Sequence, residues 1–260
     1  MSRLSKAREA YLNKDREALL KVHDRTVIHG STDHQEKHTI GFSLPEIILG
    51  GQDGLVNVLG VILGVAAATS STHIVLVAGL AAAFAESISM AAVAYTSKLA
   101  EADYYQSELE REQYEIEHIP EGEREEIRSL YKSYGFEGQL LDRVVEKITS
   151  NKDVWLKAMM EQELKLEPVN RSEAVSSAII VGVSAIVGSF IPLTPYFFLP
   201  VREATIVSLV ISSLSLFAVG YYKAKKTLGR QLIKQGIEMM VIGMVSAMVG
   251  YLIGTMMVVK

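Results

Sequence analysis

Residues 46–68 read EIILGGQDGLVNVLGVILGVAAA. This run of 23 residues contains only two acidic side chains, Glu46 at its start and Asp53 within it, and no basic ones. About 20 predominantly apolar residues are enough for a helix to cross the hydrocarbon core of a bilayer. The stretch therefore predicts a membrane span, and its five glycines predict that another helix approaches it closely.

Four more apolar segments follow this one. A short turn leads into a second span over 74–97, so the first two spans should form an antiparallel hairpin. Further spans are predicted from about Glu173 to Pro192, over 204–222 and over 236–259. We expect an all-α protein with five transmembrane spans and a cytosolic helical insert between spans two and three. The expected domains are a polar N-terminal cytosolic segment (1–44), spans one and two (45–98), an acidic metal-binding insert (99–170) and spans three to five (171–260).

The N-terminal segment is polar, and its apolar spacing predicts a short amphipathic helix that ends near Val22. Four of the six histidines of the chain fall just after it: His23, His29, His34 and His38. Their spacing fits no compact set of metal ligands. Solvated loop histidines are favoured over a metal-binding tail.

Basic residues set the expected orientation. Five of them lie between spans four and five, namely Lys223, Lys225, Lys226, Arg230 and Lys234. The loops on the opposite side hold few, chiefly Arg202. Because Lys and Arg accumulate in cytoplasmic loops, the N-terminus and the insert should be cytosolic. The compact loops and short tails favour the cell membrane of a prokaryote, with the vacuolar membrane expected in a eukaryote.

The insert concentrates the negative charge of the chain. Residues 101–167 contain 18 Asp or Glu and 9 Lys or Arg, whereas the whole chain has a net charge of only −4. Breakers divide it into predicted helices over 121–134, 137–149 and 152–166.

Several residues of the insert have the spacing of metal ligands. Two pairs of glutamates are spaced i,i+3, so that each pair presents its two carboxylates together on one helix. Two methionines and a further glutamate follow near the end of the insert. These residues are Glu112, Glu115, Glu123, Glu126, Met159, Met160 and Glu163. Carboxylates suit hard divalent cations and thioethers add a preference for softer ones, so the mixture suits Fe²⁺, with Mn²⁺, Co²⁺ or Zn²⁺ as competitors. Spacing alone leaves open whether these glutamates form a metal site or a solvated helix face.

Polar residues also occur inside the first two spans. At the helical rise, Asp53 and Met90 lie roughly 11–12 Å from the cytosolic surface, and Asn57 and Glu86 roughly 17–18 Å from it. A carboxylate at such depth is costly unless it faces a polar interior, which favours a functional role over a purely structural one. We expect these four residues to line an ion path whose carboxylates also carry protons.

From about Pro45 onward, the chain resembles the vacuolar iron transporter family. The Gln52-Asp53-Gly54-Leu55-Val56 segment is similar to the Asp-Gly-Leu signature of that family, and residues 100–113 are similar to the exit from its second span. The resemblance implies five spans, a homodimer with a path between protomers, and a cytosolic helical metal-binding domain. It also implies export of Fe²⁺ and related divalent ions from the cytosol in exchange for protons.

The resemblance extends to individual residues. The glutamates and methionines of the family's metal-binding domain match the seven insert residues above in order and spacing, and its membrane Asp and Met match Asp53 and Met90. One position departs from the pattern. Plant members carry a glutamate two turns before the Met, where this chain has Ala82. Here Glu86 stands one turn closer to Met90, which predicts a relocated carboxylate.

Two other functions compete with transport. A membrane-tethered ferroxidase would need the Glu-x-x-His spacing of di-iron proteins on two helices, and His118 is the one histidine in the insert, three residues after Glu115. A metal-sensing adaptor would use its spans only as anchors, which does not explain Asp53 and Glu86 in lipid. We therefore expect a transporter and not an enzyme. Its expected partners are divalent metal ions, protons and membrane lipid; we expect no nucleic acid and no resident cofactor.

Overall fold

In this computed structural model, which describes residues 3–22, 44–227 and 230–257, every regular element is a helix. The α-helices are α1 (Arg3–Leu12), α2 (Arg16–Val22), α3 (Leu44–Ala68), α4 (Thr72–His118), α5 (Pro120–Ser133), α6 (Gly138–Thr149), α7 (Lys152–Ala158), α8 (Glu173–Leu193), α9 (Val201–Thr227) and α10 (Leu232–Met256). A π-helix covers Met159–Glu163, and a 3₁₀-helix covers Thr194–Phe197. The all-helical class is thereby confirmed. The histidines at 23, 29, 34 and 38 lie outside the described residues.

Five helices are long and apolar enough to cross a membrane: α3, α4, α8 with the 3₁₀ turn after it, α9 and α10. Each of the five predicted spans thus corresponds to one candidate membrane helix. The helices extend beyond the apolar segments. The α9 helix, for example, runs over Val201–Thr227 where the apolar segment covers 204–222, because the polar residues at both ends continue the helix beyond the apolar run. The amphipathic helix predicted up to Val22 is divided in two near Lys14, whose φ is +52°.

The chain divides into two compact units. One contains Met1–Ser87 together with Val183–Lys260, and the other contains Ile88–Gly182. Each unit is described below by itself.

The first unit is assembled through glycine contacts between its membrane helices. A Cβ on Gly54 of α3 would collide with the backbone of Ala185 in α8, and one on Gly254 of α10 would collide with the backbone of Gly64 in α3. Helices can approach this closely in lipid only where side chains are missing, and dispersion contacts then stabilise the pair. The apolar core beside these contacts includes the fully buried Val58 of α3 and Ala247 of α10.

The second unit has an apolar core of its own. Five of its buried members come from four helices: Ile116, Ile127, Leu141, Val145 and Trp155. Asn151 caps α7 by accepting hydrogen bonds from the amides of Asp153 and Val154, at 2.9 and 3.1 Å. The segment 152–166, predicted as a single helix, differs in the structure: the α-helix ends at Ala158 and a π-helix follows.

Candidate metal site

Three glutamates of the second unit lie together where α4 meets α5. Glu112 and Glu115 are one turn apart near the end of α4, and Glu123 lies in the first turn of α5. Pro120 occupies the first position of α5, where its missing N–H costs nothing and its ring cannot continue the preceding helix. The chain therefore turns here, and one carboxylate oxygen from each of the three glutamates lies within 4.8 Å of the others.

Two of these carboxyl groups are buried. Glu112 is 1% exposed and Glu123 is 2% exposed. Among the described residues, no donor reaches the Oε2 atoms of Glu112, Glu123 or Glu163. A buried carboxylate oxygen without a donor is strongly disfavoured, and neighbouring like charges add to the cost. The cluster therefore needs either protons or a cation.

The other predicted ligands lie in the same unit. Glu163 is close enough to Glu126 for their carboxyl groups to hydrogen-bond. Met159 and Met160 are both buried at the start of the π-helix, which also contains Glu163. In that helix the amide of Leu164 bonds to the carbonyl of Met159 at 3.0 Å. The i→i+5 pattern is rare and frequently marks functional sites, because it changes the direction of side chains along one turn.

The pKa values of the cluster reflect this burial. Burial raises the pKa of Glu123 to about 7, with the neighbouring carboxylates of Glu126 and Glu112 as the next causes. Burial also raises the pKa of Glu163 to about 7, with Glu126 as the next cause. The pKa of Glu112 is raised by burial as well, although the Arg111 charge opposes the shift. A divalent cation would supply the positive charge that keeps these groups ionised.

The polar contacts of Arg111 and Tyr131 around the cluster were not predicted from the sequence. Arg111 forms ion pairs with Glu108, Glu112 and Glu115 at 2.8, 2.7 and 2.6 Å. Its spacing from Glu108 and Glu115 on one helix is a sequence signal that could have found these pairs. The hydroxyl of Tyr131 donates to Oε1 of Gln162 at 2.8 Å and so connects α5 to the π-helix. No local pattern indicates that second contact.

The donor atoms of this region fit a divalent cation. Carboxylate oxygens of α4 and α5 lie within 4.8 Å of one another, and the buried Oε2 atoms of Glu112 and Glu123 lack donors among the described residues. Two buried thioethers belong to the same unit. Oxygen donors bind hard cations, and a thioether adds affinity for softer transition metals. Within the described residues, the three-glutamate group contains no histidine.

The first unit holds a second polar group, in the membrane helices. The Asn57 amide donates to Oε1 of Glu86 at 2.7 Å, and Asp53 also lies within interaction distance of the Glu86 carboxyl. Ala82 packs against the apolar core one turn away. Met90 belongs to the second unit and is partly buried. That it shares a layer with Asp53 stays a prediction.

Known proteins resemble the chain over most of its length. Vacuolar iron transporter 1 of Tulipa gesneriana is 34% identical over 84% of this chain and 89% of its own length. Vacuolar iron transporter 1 of Arabidopsis thaliana is 36% identical over 82% and 86%. The vacuolar iron transporter of Plasmodium falciparum is 32% identical over 96% and 95%.

The family match agrees with these relatives. Residues 44–255 match the VIT family, which covers all five apolar helices almost to their ends. Together with the five apolar helices, these similarities identify an integral membrane protein. The chain belongs to the VIT family.

Proposed function

We propose that this protein moves Fe²⁺ out of the cytosol across a membrane, in exchange for protons. The observation that carries the proposal is the group of buried glutamates whose Oε2 atoms lack donors, in the same unit as two buried methionines. The relatives named vacuolar iron transporter support iron as the cargo. Mn²⁺, Co²⁺ and Zn²⁺ should compete, because the same oxygen and sulfur donors accept them.

The two polar groups have different roles in this proposal. The insert captures ions from the cytosol with Glu112, Glu115, Glu123, Glu126, Met159, Met160 and Glu163. The membrane residues Asp53, Asn57, Glu86 and Met90 form the path, and its carboxylates carry protons in the opposite direction. The hydrogen bond between Asn57 and Glu86 supports this part, because a polar contact inside apolar helices is costly to keep without a use.

The proposal also includes the assembly and the orientation. The insert and the N-terminus face the cytosol, in agreement with the basic residues at the end of α9 and the start of α10. Two copies of the chain form the working transporter. The host membrane is the cell membrane of a prokaryote or the vacuolar membrane of a eukaryote.

Flux measurements in proteoliposomes test the proposal. Purified full-length protein is reconstituted, and Fe²⁺ entry is recorded with an internal fluorescent chelator, with and without a proton gradient. We expect saturable Fe²⁺ flux that rises when the compartment receiving iron is acidic. Asp53→Ala should abolish flux while metal binding persists, whereas the Glu112→Gln/Glu115→Gln pair should weaken metal binding.

A matched control isolates the cluster from general charge loss. Glu121 lies on the same helix as Glu123, but its side chain is 85% exposed and, in the part of the chain that the structure describes, forms an ion pair with Arg124 alone. Glu121→Gln should therefore transport and bind like the unaltered protein. If the protein consumes O₂ together with Fe²⁺ and no Fe²⁺ flux is recorded, the function is that of a ferroxidase and not of a transporter. Flux that survives Asp53→Ala would overturn the proposed path.

A further inference from the structure

Arg111 already holds the carboxylates that the proposed metal would need. Its Nη1 lies 2.6 Å from Oε2 of Glu115, and its Nη2 lies 2.7 Å from Oε1 of Glu112. The contact with Glu115 is a charge-assisted hydrogen bond, a type about twice as strong as a neutral one, and the contact with Glu112 is an ion pair. One guanidinium thus bridges two of the three glutamates whose oxygens lie within 4.8 Å of one another.

The guanidinium has a third partner outside that group. Its Nε and Nη2 reach Oε2 of Glu108 at 3.1 and 2.8 Å. Arg111 is 44% exposed and Glu108 19% exposed at the side chain, whereas Glu112 is 2% exposed. The arginine therefore reaches the buried Glu112 carboxylate from the solvent side. If that contact breaks, its guanidinium can stay hydrogen-bonded to Glu108.

A divalent cation and a guanidinium compete for the same oxygens. A metal on Glu112 and Glu115 would place two positive charges beside Arg111, and their repulsion is strong in a partly buried setting. The three carboxylates of the metal-free cluster would in turn repel one another without the arginine.

We propose that Arg111 is a built-in competitor that occupies Glu112 and Glu115 when no metal is bound and withdraws to Glu108 when a metal binds. The inference rests on the proposed role of the cluster as a metal site. Arg111 keeps the empty cluster folded and lowers its affinity for metal. Glu108 raises that affinity by offering the displaced side chain a partner.

Metal titrations of the full-length protein in detergent test this inference, with Mn²⁺ as the probe and free Mn²⁺ read from its paramagnetic resonance signal. Arg111→Gln should bind Mn²⁺ about tenfold more tightly, because the competing charged hydrogen bonds are removed. Arg111→Lys keeps the charge but loses the planar guanidinium, so its Mn²⁺ affinity should lie between those of the unaltered protein and Arg111→Gln. Arg124→Gln is the control, since Arg124 pairs with the exposed Glu121 outside the cluster.

The role of Glu108 is separated by a double-mutant cycle. Glu108→Gln alone should weaken Mn²⁺ binding, and it should have little effect when Arg111 is already Gln. If Glu108→Gln lowers the Mn²⁺ affinity equally with Arg and with Gln at position 111, Glu108 acts only through its own charge. That result would overturn the proposed withdrawal of Arg111 to Glu108.

The two proposals fail in different ways. If unaltered protein binds no Mn²⁺ at the insert, the proposed metal site fails. If the unaltered protein binds Mn²⁺ and neither Arg111→Gln nor Arg111→Lys binds it more tightly, the proposed metal site is supported and the proposed competitor role of Arg111 is wrong. Should Arg111→Gln not fold, Arg111→Lys decides alone.

Discussion

The Asn57 amide donates a 2.7 Å hydrogen bond to the Glu86 carboxylate and thereby joins helices α3 and α4 inside the first unit. Asp53, one turn before Asn57, interacts with the same carboxyl. Ionisable groups within membrane helices are costly and usually face a polar interior or one another. The three residues form a polar contact within the apolar segments of α3 and α4, so a substitution of Glu86 tests the path directly.

Glu86→Gln should strongly reduce proton-coupled Fe²⁺ flux and leave metal binding at the insert unchanged. Glutamine retains an oxygen that accepts from Asn57 but holds neither a negative charge nor a transferable proton. We expect flux in proteoliposomes to fall at least about tenfold, as expected when one charged interaction is lost. Glu238→Gln is the control, because Glu238 is an exposed carboxylate on α10 that bonds only to Gln235 among the contacts described. Normal flux in Glu86→Gln would remove this residue from the path.

Two glycines on the α3–α10 contact should respond differently to alanine. A Cβ on Gly254 would meet the carbonyl group and Cα of Gly64, and backbone atoms cannot move aside. Nothing in the described structure lies within 4 Å of a Cβ on Gly60. Overpacking typically costs about 1–3 kcal/mol. Gly254→Ala should therefore lower the midpoint of thermal unfolding in detergent, whereas Gly60→Ala should not. Equal midpoints for the two variants would show that this contact does not stabilise the protein.

The membrane helices could be predicted from sequence because their signal is local. A run of about 20 apolar residues identifies a span without any knowledge of its neighbours. The depth estimate that placed Asn57 level with Glu86 uses only the helical rise, and the structure has these two side chains in contact. Which glycines meet which partners, such as Gly54 with Ala185, depends on three-dimensional packing and could not be predicted.

The candidate site was only partly accessible to the same reasoning. Helical spacing pairs Glu112 with Glu115, and Pro120 indicates the turn that brings Glu123 back to them. The burial of Glu112 and Glu123 depends on how four helices pack, and no short pattern encodes it. The π-helix at Met159–Glu163 was likewise not predicted, since its composition is that of an ordinary helix.

The two adjacent methionines should contribute unequally to metal preference. Met159 is fully buried within the apolar core of the second unit, beside Trp155, whereas Met160 is buried outside that core. Met160→Leu should therefore lower the affinity for Co²⁺ more than that for Mn²⁺, because a thioether favours the softer ion. Met159→Leu should change both affinities little. Each swap conserves volume and should cost less than about 1.5 kcal/mol in stability. Competition titrations of Co²⁺ against Mn²⁺ measure the effect, and the reverse ranking would assign the ligand to Met159.

The metal-free protein should become less stable as the pH rises from about 4.5 to about 7. Glu123 and Glu163 have pKa values raised from 4.5 to about 7 in the folded state. Between these limits the folded state binds more protons than the unfolded state, so the free energy of unfolding falls with increasing pH. The stabilisation is fully present below pH 4.5 and is lost as the pH passes 7.

Metal should reverse this dependence, since a cation binds the ionised carboxylates and releases their protons. Thermal unfolding of the full-length protein between pH 4.5 and 8, with a chelator or with Mn²⁺, measures both trends. With Mn²⁺ the midpoint should rise with pH over the range in which the metal-free midpoint falls. Glu123→Gln should flatten the metal-free profile, because glutamine cannot titrate, whereas the exposed control Glu121→Gln should leave it unchanged. A metal-free profile that does not respond to Glu123→Gln would show that Glu123 is ionised in the folded protein over this whole range.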